Sequence, residues 1–387
     1  MVTLQSAENA LKSYYLGVVA DQLNTAVNPF LAKIRKTSND VWGKEVRKMA
    51  PYGLNGGISA GTETGDLPAA GGNNYVQFVL SLKNLYGKIE ISDKAIRASA
   101  NNAGAFVNLL NDEMEGLVKA ASFNFGRMLF GDQYGILATV ASATGTAIKL
   151  DSVKYVMEGM IIDVLDDVSG VITGLSGKRI LSIDRDTNTI TIDSAGATAE
   201  TGNIITLQGS FNNELTGLAA IFQKTGSIYG LSRSDYKWLI PRMDDKTTEI
   251  SDITMQKMID DLEEISGSTV NYLLCSAGVK RAYQKYLNTY KRNIDVLNLA
   301  GGRTALSFNG IPLVSDRFCP ENTMYFLNTE DFSLHQLCDW KWLEGEDGKV
   351  LKQIPNKPIY TATLVKYADL ICNRISGQGC MSALTEA

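Results

Sequence analysis

The sequence predicts an α+β fold, a mixed body that carries an N-terminal arm and a long β-hairpin. Three features point to it. Two strand-like runs flank a glycine-rich stretch at residues 53–72, one helical apolar stripe continues from residue 103 to 130, and short strand-like runs split by Gly, Asp and Asn fill residues 147–210.

Composition frames these elements. A chain of 387 residues is long enough for about two or three domains of ~150 residues each. Its 44% hydrophobic and 20% charged content is that of a folded protein. Glu8 and Lys12 interrupt the N-terminus before a leader-like apolar run can form, and no stretch reaches the ~18 apolar residues of a membrane span. A soluble chain made in the cytosol is therefore expected. Cys275, Cys319, Cys338, Cys372 and Cys380 form no C-x-x-C pair and are odd in number, which favours buried thiols in a reducing compartment over a disulfide framework. The net charge of −5 carries no footprint of a dedicated nucleic-acid binder. Residues 1–50 nevertheless hold seven Lys/Arg against four Asp/Glu, and residues 244–264 hold eight Asp/Glu against two Lys. Such segments are either solvated faces or opposite signs that meet between neighbouring copies.

In chain order, Leu11, Tyr15, Val18, Gln22 and Ala26 fall three or four apart, which predicts a short arm helix stopped by Asn28 and Pro29. A run over residues 42–52 follows, and a second over 75–92, where Val76, Phe78, Leu80 and Leu82 alternate with Gln77, Val79, Ser81 and Lys83. Seven of the twenty residues between the runs are glycine, which favours a turn or mobile tip. The pair predicts a long hairpin. An isolated two-stranded hairpin is marginal in water, so this one is expected to lie on something else.

Phe106, Leu110, Met114, Leu117, Ala121, Phe125 and Met128 then mark one helical face over 28 residues, a span of ~42 Å. Gly104, Gly116 and Gly126 each cost about 1 kcal/mol of helix propensity, which burial of the large apolar side chains at roughly 1.5–3 kcal/mol apiece outweighs. The helix is expected to lie against a sheet. Runs at 148–150, 160–165, 179–183, 189–192 and 204–207 predict a small curved β-barrel. Met255, Met258, Ile259, Leu262 and Ile265 predict an acidic-faced helix over 253–266, and Ser276 is placed as N-cap of another through Val279, Tyr283, Tyr286 and Tyr290. Residues 306–384 are mostly strand-like.

Catalytic chemistry finds little support. No GxxxxGK[ST] loop occurs, and Gly377-x-Gly379 is followed by Cys380 and Met381 near the end of the chain rather than by a helix. His335 is the single histidine, and His335 with Cys338 supplies two ligands where a zinc site needs more. Asp184-x-Asp186-x-Asn188 imitates a calcium loop but has Thr189 and Ala195 where glycine and a bidentate glutamate belong, so a β-turn is expected. No Gly-x-Ser-x-Gly elbow is present. The expectation is a non-enzyme without cofactor or metal.

Taken together, the order of elements resembles the tailed-phage major capsid proteins, whose shell fold is named after phage Hong Kong ninety-seven. The stretches that carry the resemblance are LNTAVNPFLAKIRKTSNDVWGKEVRK (residues 23–48), LKNLYGKIEISDKAIRAS (82–99), NNELTGL (212–218), FNGIPLVSDRFCPENTMYFLN (308–328) and the closing PIYTATLVKYADLICNRISGQGCMSAL. It covers nearly the whole chain, and its specificity lies in the order rather than in any one motif. The resemblance implies an N-terminal arm (1–41), an extended hairpin loop laid over the adjacent subunit (42–92), a spine helix and peripheral domain (93–135), an inserted β-barrel (147–210), an axial domain (211–305) and peripheral return strands (306–387). It implies assembly of copies as pentamers and hexamers into an icosahedral shell around double-stranded DNA. The virion is then the final location and the bacterial cytoplasm the place of assembly. A portal and a decoration protein are further implied partners, the DNA being touched without base reading.

Assembly contacts are expected at Trp42, Lys44, Arg47, Lys48, Val76, Phe78, Leu80 and Leu82 of the hairpin, and at Asp260, Asp261, Glu263 and Glu264 of the acidic helix. Some members of the family cut off a long N-terminal scaffold segment. Here the hairpin begins near Trp42, so a separate scaffolding protein and no cleavage are expected. Others crosslink a hairpin lysine to a neighbour, whereas residues 49–82 hold no lysine or arginine, so the grip is expected to be non-covalent. Two other functions compete: an encapsulin, which uses the same fold around cargo enzyme, and a monomeric β-rich protein whose barrel binds a ligand or glycan.

Overall fold

Residues 103–130 repeat an apolar side chain every three or four positions, and in the computed structural model they form the helix α1 (Ala103–Met128). The structure describes residues 28–94, 103–166, 170–290, 296–299, 303–345 and 348–387. The arm helix expected at 6–26 lies outside them. Met114, Val118, Phe123, Phe125 and Met128 of α1 are buried; Leu117 and Phe125 lie on the side that meets the strand Lys83–Ser92, and Phe123, on the other side of the helix, packs on the Phe318 ring. Approach is close enough to dictate residue size: a Cβ on Gly87 would stand 2.9 Å from the Leu117 side chain, and one on Gly126 would stand 2.5 Å from the Phe318 ring.

The sheet beneath α1 is centred on Ile359–Cys372, which pairs with Lys83–Ser92 on one side and with Phe332–Trp342 on the other. Arg35–Thr37 adds in parallel to Phe332–Trp342. The second run of the expected hairpin is accordingly two strands. Asn74–Ser81 stays with Glu45–Tyr52 over eight residue pairs, the Leu82 N–H donates to Lys44 O at 2.9 Å, and Lys83–Ser92 leaves for the sheet. The buried positions change phase at this break, from even numbers at Phe78, Leu80 and Leu82 to odd at Leu85, Ile89 and Ile91.

A second sheet has the order Arg242–Asp244, Gly379–Met381, Met324–Leu327, Tyr272–Cys275, Ile311–Ser315, Arg303–Phe308, Val296–Leu299. Helices α2 (Asp252–Ser266) and α3 (Ala277–Tyr290) cover one face, where Met255, Met258, Leu262, Val279, Tyr283 and Leu287 pack on Leu273 and Cys275. Tyr272 and Leu274 point the other way into the main core. Ser251 caps α2: its Oγ accepts from Thr254 N at 3.2 Å while its own N–H donates to Thr254 Oγ1 at 2.9 Å. Ser276 Oγ accepts from Val279 N at the start of α3, as expected. Ile265, assigned to the buried face of α2, is instead 62% exposed, two residues before Gly267 ends the helix in the left-handed region.

Two stretches pack with elements distant from them in the chain, which burial pattern alone does not report. Ile311–Ser315 and Met324–Leu327, expected in the peripheral return, belong to the second sheet. Leu215, Leu218, Ile221, Phe222, Tyr229 and Leu239, expected in the axial domain, pack in the main core with α1.

The third unit is a ring. Lys178–Asp184, Thr189–Ile192, Ala147–Leu150, Ile136–Thr144, Ile204–Leu207 and Ile161–Asp166 pair in that order, and the last pairs back to the first. Its interior is filled by Leu137, Val140, Ile148, Ile162, Val164, Ile180, Ile190 and Ile205 among others, so it is a packed core. The ring starts at Ile136, upstream of the expected residue 147. Asn212 N donates to Tyr134 O at 3.2 Å, so the chain leaves and rejoins the body at one place.

Candidate assembly surface

The hairpin is a projection with an anchored base and an unanchored tip. Eight ladder pairs, Glu45 with Ser81 through Tyr52 with Asn74, give a ladder of ~27 Å at ~3.4 Å per residue. Its inner face rests on the same chain: Val79 N donates to Tyr229 O at 3.0 Å, the Phe78 ring lies 5.2 Å from Tyr229 and 6.0 Å from Trp238, and Tyr52 stacks on Trp238 at 5.7 Å. Phe78, Leu80 and Leu82 are 0%, 8% and 8% exposed and Val76 is half-buried. The alternation forms an apolar face, and within the chain Phe78, Leu80 and Leu82 of that face are buried in its own core.

Beyond Tyr52 the situation reverses. Leu54, Ile58 and Leu67 are 91%, 88% and 91% exposed, with Met49 and Tyr75 also largely open. The tip closes on small residues. Gly57 and Gly71 approach so closely that a Cβ on Gly57 would stand 2.8 Å from the Gly71 nitrogen, and Asn55 Oδ1 accepts from Gly57 N at 2.9 Å. Among the described residues none covers this apolar surface. These three residues are not among the contacts expected from sequence, although an apolar residue between turn formers is visible at each position.

Of the basic residues at the hairpin base, Lys44 and Arg47 are exposed and Lys48 is half-buried, while Trp42 is 73% exposed. Arg47 Nη2 lies 3.0 Å from Glu45 Oε2, a solvent-facing pair of small worth. On α2, Asp260, Glu263 and Glu264 are exposed, whereas Asp261 is engaged by Arg242 at 2.7 Å. The hairpin and the α2 acids thus occupy separate parts of the molecule, one tied to the main core and the other to the helix-covered sheet.

The other candidates resolve into structure. His335 is 1% exposed; the Asn39 carbonyl can only accept, so Nδ1 carries the proton and Nε2 accepts from Ser333 Oγ, each at 3.0 Å. Burial holds its pKa below the usual histidine value. Asp184 closes a turn, its Oδ1 accepting from Asp186 N at 3.0 Å and its Oδ2 from Thr187 Oγ1 at 2.8 Å. Among the described residues no group of three or more His, Cys, Asp or Glu could hold a metal ion. The five cysteine thiols are free, four of them buried. No described helix is long and apolar enough to cross a membrane.

By sequence, the chain matches no family model and no curated protein. By structure it is similar to the capsid of Cyanophage A-1(L), with a TM-score of 0.56 at 13% identity over 94% of each chain. The capsid of a native GTA particle gives 0.48 at 10% identity over 94% of this chain and 93% of that one, and the SrpI encapsulin of Synechococcus elongatus 0.47 at 10% over 95% of each. The first of these likenesses shows the fold. Over nearly its whole length the chain has the Hong Kong ninety-seven capsid fold, an α+β fold.

Proposed function

We propose that this chain is the major capsid protein of a tailed phage, a shell subunit that assembles with copies of itself as pentamers and hexamers into an icosahedral particle. The observation that carries the reading is the hairpin tip. On a capsid fold, Leu54, Ile58 and Leu67 stand about nine-tenths exposed at the end of a ladder whose base is fixed to the body. Fixing the base removes most of the orientational freedom that docking would otherwise cost. Each copy then offers its tip and receives another, and several modest contacts per subunit make a durable shell.

Within this reading the expected contacts divide. Phe78, Leu80 and Leu82 hold the hairpin to its own subunit, with Val76 beside them. Trp42, Lys44, Arg47 and Lys48 at the base, together with the tip, meet the neighbour. Asp260, Glu263 and Glu264 serve contacts made by the helix-covered sheet. The closed ring at residues 136–207 is an insertion in the capsid fold. A separate scaffolding protein, a portal and a decoration protein are the other proposed partners, and packaged DNA is touched without base reading.

Particles purified from expressing cells test the reading and its contents together. A shell around DNA protects nucleic acid from nuclease and absorbs more strongly at nucleic-acid than at protein wavelengths. A compartment loaded with protein cargo has a protein spectrum and an additional band on a gel. A chain that stays monomeric with its scaffolding protein present contradicts both.

A further inference from the structure

Helices α2 and α3 cover the same face of the second sheet, yet they carry opposite charge. α2 holds Asp252, Asp260, Asp261, Glu263 and Glu264 against a single Lys257, while α3 holds Lys280, Arg281 and Lys285 and no acid. Some of these groups are taken up within the chain. Asp261 faces Arg242, Asp252 accepts from Tyr283 OH at 3.4 Å, and Arg281 Nε donates to Ala387 O. What projects is a stripe on each helix. On α2, Asp260, Glu263 and Glu264 are exposed at i, i+3 and i+4, with Asp260 also accepting from Gln256 at 2.6 Å and the exposed Lys257 one turn before; on α3, Lys285 is exposed one turn after Arg281, whose exposed guanidinium also reaches Ala387. Four residues of helix rise by ~6 Å, so the two stripes match in length as well as in sign.

Apolar surface accompanies the acids. Ile253 and Ile265, near the two ends of α2, are 79% and 62% exposed. An open groove of about 580 Å³ runs past Ile253, Gln256, Asp260 and Phe308. The helices also sit on different flanks: α2 packs against Gly379–Met381, and α3 against Ile311–Ser315 on the far side of the two strands between them.

We propose that the outer face of α2 docks against the basic face of α3 on a second copy of this chain, so that copies join head to tail. Like charge across the contact disfavours α2 against α2. Because the two faces lie on different flanks, each contact leaves one face of either copy open for the next, and a repeated heterologous contact of this kind makes a ring when the rotation between copies closes. Charge sets the register and speeds encounter, and burial of Ile253 and Ile265 holds the contact once made. The proposal rests on the shell reading and adds to it which helix meets which.

Charge reversal tests it on the full chain. Glu263→Lys with Glu264→Lys places cations in the last turn of α2, where the helix dipole tolerates them. Arg281→Glu with Lys285→Glu reverses the other face, and a third chain carries all four changes. Far-UV circular dichroism checks folding, and sedimentation with electron microscopy reads particle yield. The expected result is at least a tenfold loss of particles for each single-face reversal, with recovery to within about twofold of wild type when both faces are reversed. Milder Glu263→Gln and Glu264→Gln changes are expected to lower yield more at low salt than at high salt. Wild-type yield from both single-face reversals overturns the pairing, as does the absence of recovery in a natively folded four-site chain. In either case wild-type particles leave the shell reading standing. A wild-type chain that forms no particles overturns the shell reading and the pairing with it.

Discussion

Arg127 near the end of α1 and Glu214 just past the ring form a two-pronged ion pair inside the protein, with Nη1 2.8 Å from Oε2 and side chains only 3% and 2% exposed. The pair clasps α1 to the segment where the chain returns from the ring. A buried pair of this kind contributes little net stability when intact, but removing one partner strands the other charge.

Glu214→Ala is therefore expected to cost about 3–5 kcal/mol, seen as a lowered midpoint in chemical denaturation of the unassembled chain. Arg127→Met combined with Glu214→Leu should recover most of that loss, since no charge is left unpaired. A cost below about 1 kcal/mol for Glu214→Ala would show that water reaches the guanidinium.

Two glycines of α1 are expected to respond in opposite directions to alanine. At Gly116 an added methyl would meet nothing within 4 Å, so Gly116→Ala should stabilise by about 0.5–1 kcal/mol through helix propensity. At Gly126 the same methyl would press on the Asn28 side chain and the Phe318 ring, so Gly126→Ala should destabilise despite the same propensity gain. Thermal midpoints of the two variants check this, and equal shifts would contradict the packing described.

Burial raises the pKa of Asp369 to about 6, although its carboxylate accepts from Thr216 N at 2.7 Å and from Leu370 N at 2.8 Å. In the unfolded chain an aspartate titrates near ~3.9. The folded state holds the proton more tightly, so this group's contribution is fully present below that value and is lost as pH rises to about 6. Asp369→Asn should remove the dependence. The stability of the variant relative to wild type is expected to rise across that window by about 3 kcal/mol and then stay level. A difference that does not change with pH would contradict a buried ionisable carboxylate.

Local pattern makes some of this legible and geometry hides the rest. The stripe from Phe106 to Met128 gives α1 to within a turn, because a helix face is written in consecutive residues. The ring's later strands are visible through Ile148, Ile162, Ile180 and Ile190, but its first strand, Ile136–Thr144, reads ILATVASAT, whose small residues carry almost no hydrophobic contrast. The break at Leu82 is written in the phase of the buried positions and is easily passed over because the alternation resumes. Arg127 and Glu214 are 87 positions apart and leave no local trace. The tip is legible as a glycine-rich loop. That its own chain covers Phe78 and leaves Leu54, Ile58 and Leu67 open depends on where Tyr229 and Trp238 fall in the fold, which no local pattern reports.

Whether the hairpin tip holds neighbouring copies together can be decided by one comparison. The full chain and a variant with Leu54→Ser, Ile58→Ser and Leu67→Ser are each co-expressed with the scaffolding protein and examined by electron microscopy and sedimentation. All three side chains are about nine-tenths exposed in the single subunit, so the variant should fold with an unchanged denaturation midpoint. Closed icosahedral particles are expected from the full chain, and folded, unassembled subunits from the variant. Normal particles from the variant, or no particles from the full chain, would contradict a tip that grips its neighbour.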